Sequence, residues 1–198
     1  MRQVSALPRF YLITPDFSGN KNLYLSELEE SLKNGVKLVQ LRSKNLSLQE
    51  YLKLENDLLP IIRSFGAKLI LNNSESLLSA SSADGIHFPS KEYANLKKRP
   101  ISHKYLFSVA CHNKEQIKHA ENIDADFGVL CPVFSTPSSP TGTPIGWDEF
   151  SKIAKLVKFP IYALGGLNIQ DLVTAKENGA YGLAAKRALW NLKEQLPS

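Results

Sequence analysis

Short apolar runs recur along the whole chain, each bounded by turn-forming residues. They occupy 10–13, 38–41, 69–71, 85–88, 107–110, 127–130, 161–164 and 182–185. Most are apolar nearly throughout rather than alternating, which is the pattern of strands covered on both faces in a parallel sheet. Amphipathic segments of helical period lie between them. Residues 22–34 put Leu23, Leu28 and Leu32 on one stripe, and residues 47–65 do the same with Leu48, Leu52, Leu59 and Ile62. Ser47 and Glu50 have the spacing of a capping box, and Gly35 and Gly66 stand where helices should stop. Pro60 inside the second segment predicts a kink or a break. Further helices are expected over 74–81, 113–122, 147–158, 168–178 and 187–195, with room for only a short one in 91–99.

Strands alternating with helices imply right-handed parallel crossovers. Eight such units within 198 residues predict an α/β protein, a single (β/α)₈ TIM barrel over residues 1–198, at the compact end for that fold. An open doubly wound sheet would use five or six strands and leave two runs without a place. Two cysteines, Cys111 and Cys131, cannot supply a disulfide framework for a chain of this length, and no apolar stretch is long enough to span a bilayer. The expectation is a cytoplasmic protein with no membrane partner. Lys plus Arg exceed Asp plus Glu by 24 to 19, a net +5 that suits anionic small molecules as well as nucleic acid. The basic run Lys97-Lys98-Arg99 lacks any nucleic-acid-binding motif and reads as solvated surface. A homo-oligomer stays open.

In a barrel the chemistry sits at the C-terminal ends of the strands. Gln40, Arg42 and Lys44 alternate at the end of the second run and share one face, a suitable cradle for a diphosphate. Asn72 and Asn73 follow the third run, where paired amides either bind a ligand or cap a helix. His87 ends the fourth run and reads as structural. His112 follows the fifth, where an imidazole can act as acid or base. Its neighbour Cys111 points the other way on an extended segment, so the two form no dyad. The loop 132–144 is rich in hydroxyls and free of charge. Gly165 and Gly166 after the seventh run, with Lys186 and Arg187 after the eighth, have the makings of a barrel phosphate site, with a helix N-terminus expected to add N–H groups.

Taken together, these residues resemble the thiamine-phosphate synthase and thiazole tautomerase superfamily. The resemblance is carried by Gly35-Val36-Lys37-Leu38-Val39-Gln40-Leu41-Arg42-Ser43-Lys44, Ala83-Asp84-Gly85-Ile86-His87, Ala125-Asp126-Phe127, Pro132-Val133-Phe134-Ser135-Thr136-Pro137 and Ala163-Leu164-Gly165-Gly166-Leu167. It extends from Tyr11 to Arg187. Cys111-His112 and Gly146-Trp147 are similar to the branch found fused behind Nudix domains. The resemblance implies a barrel that joins hydroxymethylpyrimidine diphosphate to thiazole phosphate, with loss of diphosphate and with Mg²⁺ as cofactor. By position, Gln40 and Lys44 would hold the pyrimidine diphosphate, with Arg42 and Asn72 on its diphosphate. Thr136 and Ser138 would touch the thiazole phosphate, with Gly165, Gly166, Lys186 and Arg187 beneath it.

The chain also departs from the family's pattern. Asn73 stands where the family has a metal-binding carboxylate, and Glu92 is the nearest candidate for a second one. Ser139 replaces a lysine, Ala110 a serine and Arg187 a serine. An amide is a poorer Mg²⁺ ligand than a carboxylate. The resemblance therefore implies three activities to separate: the synthase reaction, thiazole tautomerisation with His112 as the catalytic residue, and non-catalytic binding of thiamine-pathway phosphates.

Overall fold

A computed structural model describes residues 7–72, 75–136 and 143–197. Within them, eight parallel strands close into a barrel in simple sequence order. The strands are β1 (Phe10–Ile13), β2 (Leu38–Leu41), β3 (Lys68–Leu71), β4 (Gly85–Phe88), β5 (Leu106–Cys111), β6 (Phe127–Leu130), β7 (Ile161–Ala163) and β8 (Gly182–Ala185). The pairing of β1 with β8 closes the ring and excludes the open sheet. Helices α1 (Lys21–Lys33), α2 (Leu48–Ser64), α3 (Ser90–Tyr93), α4 (Lys114–Asn122), α5 (Gly146–Ala154) and α6 (Leu172–Glu177) cover its outside.

Each strand buries both faces, so the apolar residues divide by parity. Leu12, Val39, Leu69, Ile86, Val109 and Leu183 point outward into the layer beneath the helices. Tyr11, Leu38, Ile70, Phe127, Val129, Tyr162 and Ala184 fill the interior. Tyr11, Phe127 and Tyr162 pack there with ring centroids 5.4–5.6 Å apart, which plugs the lower barrel and leaves the upper end for a ligand. Asp84 and Asp126, which precede β4 and β6, staple the bottom. Asp84 accepts from the Leu69 N–H and pairs with Arg63; Asp126 accepts from the Phe107 N–H and pairs with Arg99.

The capping box at Ser47 and Glu50 is present. Four local expectations are corrected. The break allowed for at Pro60 does not occur: helix α2 continues through Pro60, and both Pro60 and Asn56, whose carbonyl loses its usual partner, are exposed residues. The segment at 74–81 is a 3-10 helix over Glu75–Ala80, and 168–178 divides into a 3-10 turn, Ile169–Asp171, before α6. Residues 187–191 form turns and 192–195 run irregularly, so the expected helix is absent. Asn191 takes a left-handed φ of 51°, and the chain then docks beneath α1, where the Asn34 side-chain amide donates to the Leu192 carbonyl and the Leu196 N–H to the Asn34 carbonyl. No described helix is long and apolar enough to cross a membrane.

Candidate active site

Inward parity continues past the strand ends, and this builds the site. Gln40, Arg42 and Lys44 from β2, Asn72 from β3, His87 from β4, His112 from β5 and Lys186 from β8 all line one cavity of about 1010 Å³. The loops add Thr136, Thr143, Gly165, Gly166 and Arg187. Ser138, Asn73 and Ser139 lie outside the described residues. Glu92, on α3, does not line the cavity; burial raises its carboxyl above the usual range, opposed by the nearby Lys44 ammonium.

Backbone contacts set the cationic side chains. The Arg42 N–H donates to the buried Thr14 hydroxyl at 3.0 Å, and the Lys44 N–H donates to Asp16 Oδ1 at 2.9 Å. Asp16 Oδ2 lies 3.7 Å from Arg42 Nη1 and 3.6 Å from Lys186 Nζ. Burial works against the Asp16 charge, but the Lys44 N–H and the two cations outweigh it and hold its carboxyl below the ordinary value.

A chain of polar groups crosses the cavity floor, and no local motif announces it. Asn72 Nδ2 donates to Gln40 Oε1 (2.9 Å), and Gln40 Nε2 donates to the Tyr11 hydroxyl (2.7 Å). Tyr11 also bonds Ser108, whose Oγ lies 2.9 Å from His87 Nδ1. Asn72 is thereby on the ligand side, and His87 is both a structural group and part of the wall. The parity of Tyr11, Gln40, Asn72, His87 and Ser108 was the available clue.

Burial, with the Arg42 charge as a smaller cause, lowers His87 from its ordinary value of 6.5 to about 3. His87 therefore stays neutral while the unfolded chain takes up a proton below about pH 6.5. The folded state binds fewer protons, so stability is whole above that pH and is lost as pH falls toward 3. The slope approaches about 1.4 kcal/mol per pH unit. Urea midpoints measured between pH 7 and pH 4.5 should fall less steeply in His87→Gln than in the parent. Equal slopes would place the acid sensitivity elsewhere.

His112 projects into the cavity as expected. Its Nδ1 lies 2.8 Å from the Cys131 carbonyl, which only accepts, so in the neutral ring Nδ1 carries the proton and Nε2 is left as a base. Cys111 does face away, toward the Tyr93 hydroxyl at 3.3 Å. The other cysteine was missed: Cys131 Sγ is 3.6 Å from His112 Nδ1 and lines the cavity. Burial pushes its thiol up to about 12, so it stays protonated and is no nucleophile at neutral pH.

The loops after β6 and β7 are zipped together. The Val133 N–H donates to the Leu164 carbonyl and the Phe134 N–H to the Gly165 carbonyl, at 2.9 and 3.0 Å. Gly165 and Gly166 adopt φ of 115° and 67° beside them. The turn at 187–191 supplies no helix N-terminus, so the groups this side can offer an anion are the glycine loop and the cations. Among the described lining residues, Arg42, Lys44, Lys186 and Arg187 bring four cations and no carboxylate.

A cationic mouth at the C-terminal rim, above a plugged barrel, defines a TIM-barrel enzyme for phosphorylated small molecules. The family model for thiamine monophosphate synthase matches residues 10–189. The chain belongs to that family, whose members are transferases. A relative from Aquifex aeolicus, named among the thiamine-phosphate synthases, is 35% identical over 178 residues, 90% of this chain and 95% of its own. The thiamine-phosphate synthase of Syntrophomonas wolfei is 30% identical over 181 residues, 90% of this chain and 87% of its own. Among solved structures, thiamine phosphate pyrophosphorylase from Pyrococcus furiosus superposes with a TM-score of 0.74 at 21% identity, covering 93% of each chain.

Proposed function

We propose that the chain joins hydroxymethylpyrimidine diphosphate to thiazole phosphate, giving thiamine phosphate and diphosphate. The observation that carries this reading is the division of four cations between two strands of one cavity, with no acid among its described lining residues. Arg42 and Lys44, just past the end of β2, suit the diphosphate. Arg187, with the backbone of Gly165 and Gly166, suits the monophosphate, with Thr136 beside it. At about 1010 Å³ the cavity is large enough to hold two small substrates together.

In the reaction the methylene C–O bond breaks and its electron pair leaves with the diphosphate. The thiazole nitrogen lone pair then forms the new C–N bond, so no external oxidant or reductant is needed. The protein's part is to neutralise the leaving group and hold the nitrogen in line with the carbon. Gln40 and Asn72 brace one another and keep the pyrimidine side of the pocket in fixed order.

The family resemblance implies Mg²⁺. This ion commonly takes one or two carboxylates together with substrate phosphates. No group of three His, Cys, Asp or Glu among the described residues could hold a metal alone. Glu92 lies off the cavity and the described lining carries no carboxylate, so the described residues do not by themselves fit the ion. The free thiols of Cys111 and Cys131 suit the reducing cytoplasm.

Incubating the protein with both substrates and Mg²⁺ should yield thiamine phosphate. The tautomerase reading is favoured by one observation, the free Nε2 base of His112. No thiamine phosphate, together with thiazole interconversion that His112→Ala abolishes, would replace the synthase reading. In either case Arg187→Ala should weaken thiazole phosphate binding by about 1.5–3 kcal/mol, the range for a hydrogen bond to a charged group. Unchanged affinity by calorimetry would move the monophosphate elsewhere.

A further inference from the structure

Lys186 and Arg187 are adjacent, yet they serve different surroundings. Residue 186 continues the inward parity of Ala184 and lines the cavity, and β1 lies between β8 and β2 in the ring. Lys186 reaches across the end of β1 toward β2. Its Nζ is 3.6 Å from Asp16 Oδ2, the same oxygen that lies 3.7 Å from Arg42 Nη1. The second Asp16 oxygen accepts from the Lys44 N–H. One carboxylate thus gathers Lys186 into the basic set of β2. The position of Oδ2 between two cations marks where an anionic oxygen is stabilised.

We propose that Lys186 is the third cation of the diphosphate clamp, with Arg42 and Lys44, and that Asp16 is the counter-ion which a bound diphosphate displaces. This deepens the synthase reading and rests on it for the identity of the diphosphate ester. A diphosphate bears more charge than a phosphate monoester, and β2 alone offers it two cations. The third comes from β8 while Arg187 stays with the monophosphate. Asp16 offsets the repulsion between Arg42 and Lys186 when the cavity is empty, and its departure exposes these two cations beside Lys44. Lys186 is then a binding and leaving-group residue, and Asp16 a positioning residue acting through it.

The test uses the full chain and two probes, inorganic diphosphate titrated in the presence of saturating thiazole phosphate, and thiazole phosphate alone. Lys186→Met should weaken diphosphate at least tenfold and thiazole phosphate less than twofold, with Lys186→Arg within threefold of the parent for both. Arg187→Met should show the reverse pattern. Asp16→Asn should tighten diphosphate severalfold at low salt, because a competing charge is gone while an amide oxygen can still accept from the Lys44 N–H. In turnover, Lys186→Met should raise KM for the pyrimidine diphosphate and lower kcat, leaving KM for thiazole phosphate in place. The assignment is overturned if Lys186→Met affects thiazole phosphate more than diphosphate, or if Asp16→Asn weakens diphosphate. A parent protein that binds both probes without forming thiamine phosphate overturns the synthase reading alone, and the Lys186→Met comparison still decides the clamp. A parent that does not bind diphosphate overturns both.

Discussion

Arg42→Met lowers kcat/KM for the pyrimidine diphosphate by roughly 10²–10³, with much of the loss in kcat. The location of the loss follows from when the charge appears. As the C–O bond breaks, the leaving diphosphate gains negative charge, so a guanidinium beside it stabilises the transition state more than the bound substrate. The proposed role draws support from the way the Arg42 backbone is held. Its N–H donates to the Thr14 hydroxyl, which donates in turn to the Arg42 carbonyl at 3.4 Å, so the end of β1 holds the end of β2. Asp16 supplies the nearby counter-charge. Arg42→Lys should recover only part of the rate, because an ammonium keeps the charge but loses the planar fork that matches two phosphate oxygens. Steady-state kinetics with each substrate varied in turn, alongside thermal unfolding to show an intact barrel, makes the measurement. A kcat equal to the parent's would mean that Arg42 binds ground state and transition state equally.

Much of this site could be read from the chain because β-strand parity is rigid. Once Leu38 and Tyr11 are interior, Gln40, Arg42 and Lys44 must follow at the mouth, and the cavity bears that out. The closed barrel was legible from eight evenly covered runs. What escaped was interaction between strands distant in sequence. Tyr11, Ser108 and His87 form one polar chain, and nothing near His87 in sequence announces a hydroxyl partner at position 108. Cys131 escapes as a neighbour of His112 for the same reason: β5 and β6 bring them together, whereas sequence adjacency points only to Cys111. The resemblance motifs around Asp84 and Asp126 are architectural, since both carboxylates accept from strand N–H groups and pair with arginines at the barrel bottom. Helical periodicity over 187–195 was misleading because Leu189 and Leu192 are buried in a turn segment docked under α1. Burial of spaced leucines needs a partner surface, and a helix is only one way to provide it.

Gly165→Ala should destabilise the barrel by roughly 2–5 kcal/mol and abolish tight thiazole phosphate binding. Two penalties add at this position. The backbone φ is 115°, a region that L side chains rarely adopt. A Cβ there would also stand 2.8 Å from Pro132 Cα, from Pro132 Cβ and from Val133 N. These are backbone and ring atoms that cannot rotate away, so the loops after β6 and β7 would have to part. Parting them costs the hydrogen bonds Val133 N–H to Leu164 and Phe134 N–H to Gly165. It also moves the glycine backbone away from the place proposed for the monophosphate. Gly19→Ala separates the two penalties, because Gly19 has a similar φ of 94° but nothing within 4 Å of a new Cβ. That variant should lose only the backbone part, about 1 kcal/mol, with thiazole phosphate affinity unchanged. Urea unfolding of both variants, with calorimetric titration of each, gives the comparison. Equal losses in the two would show that the β6 loop yields to the added methyl, and that the contact between these loops does not shape the phosphate site.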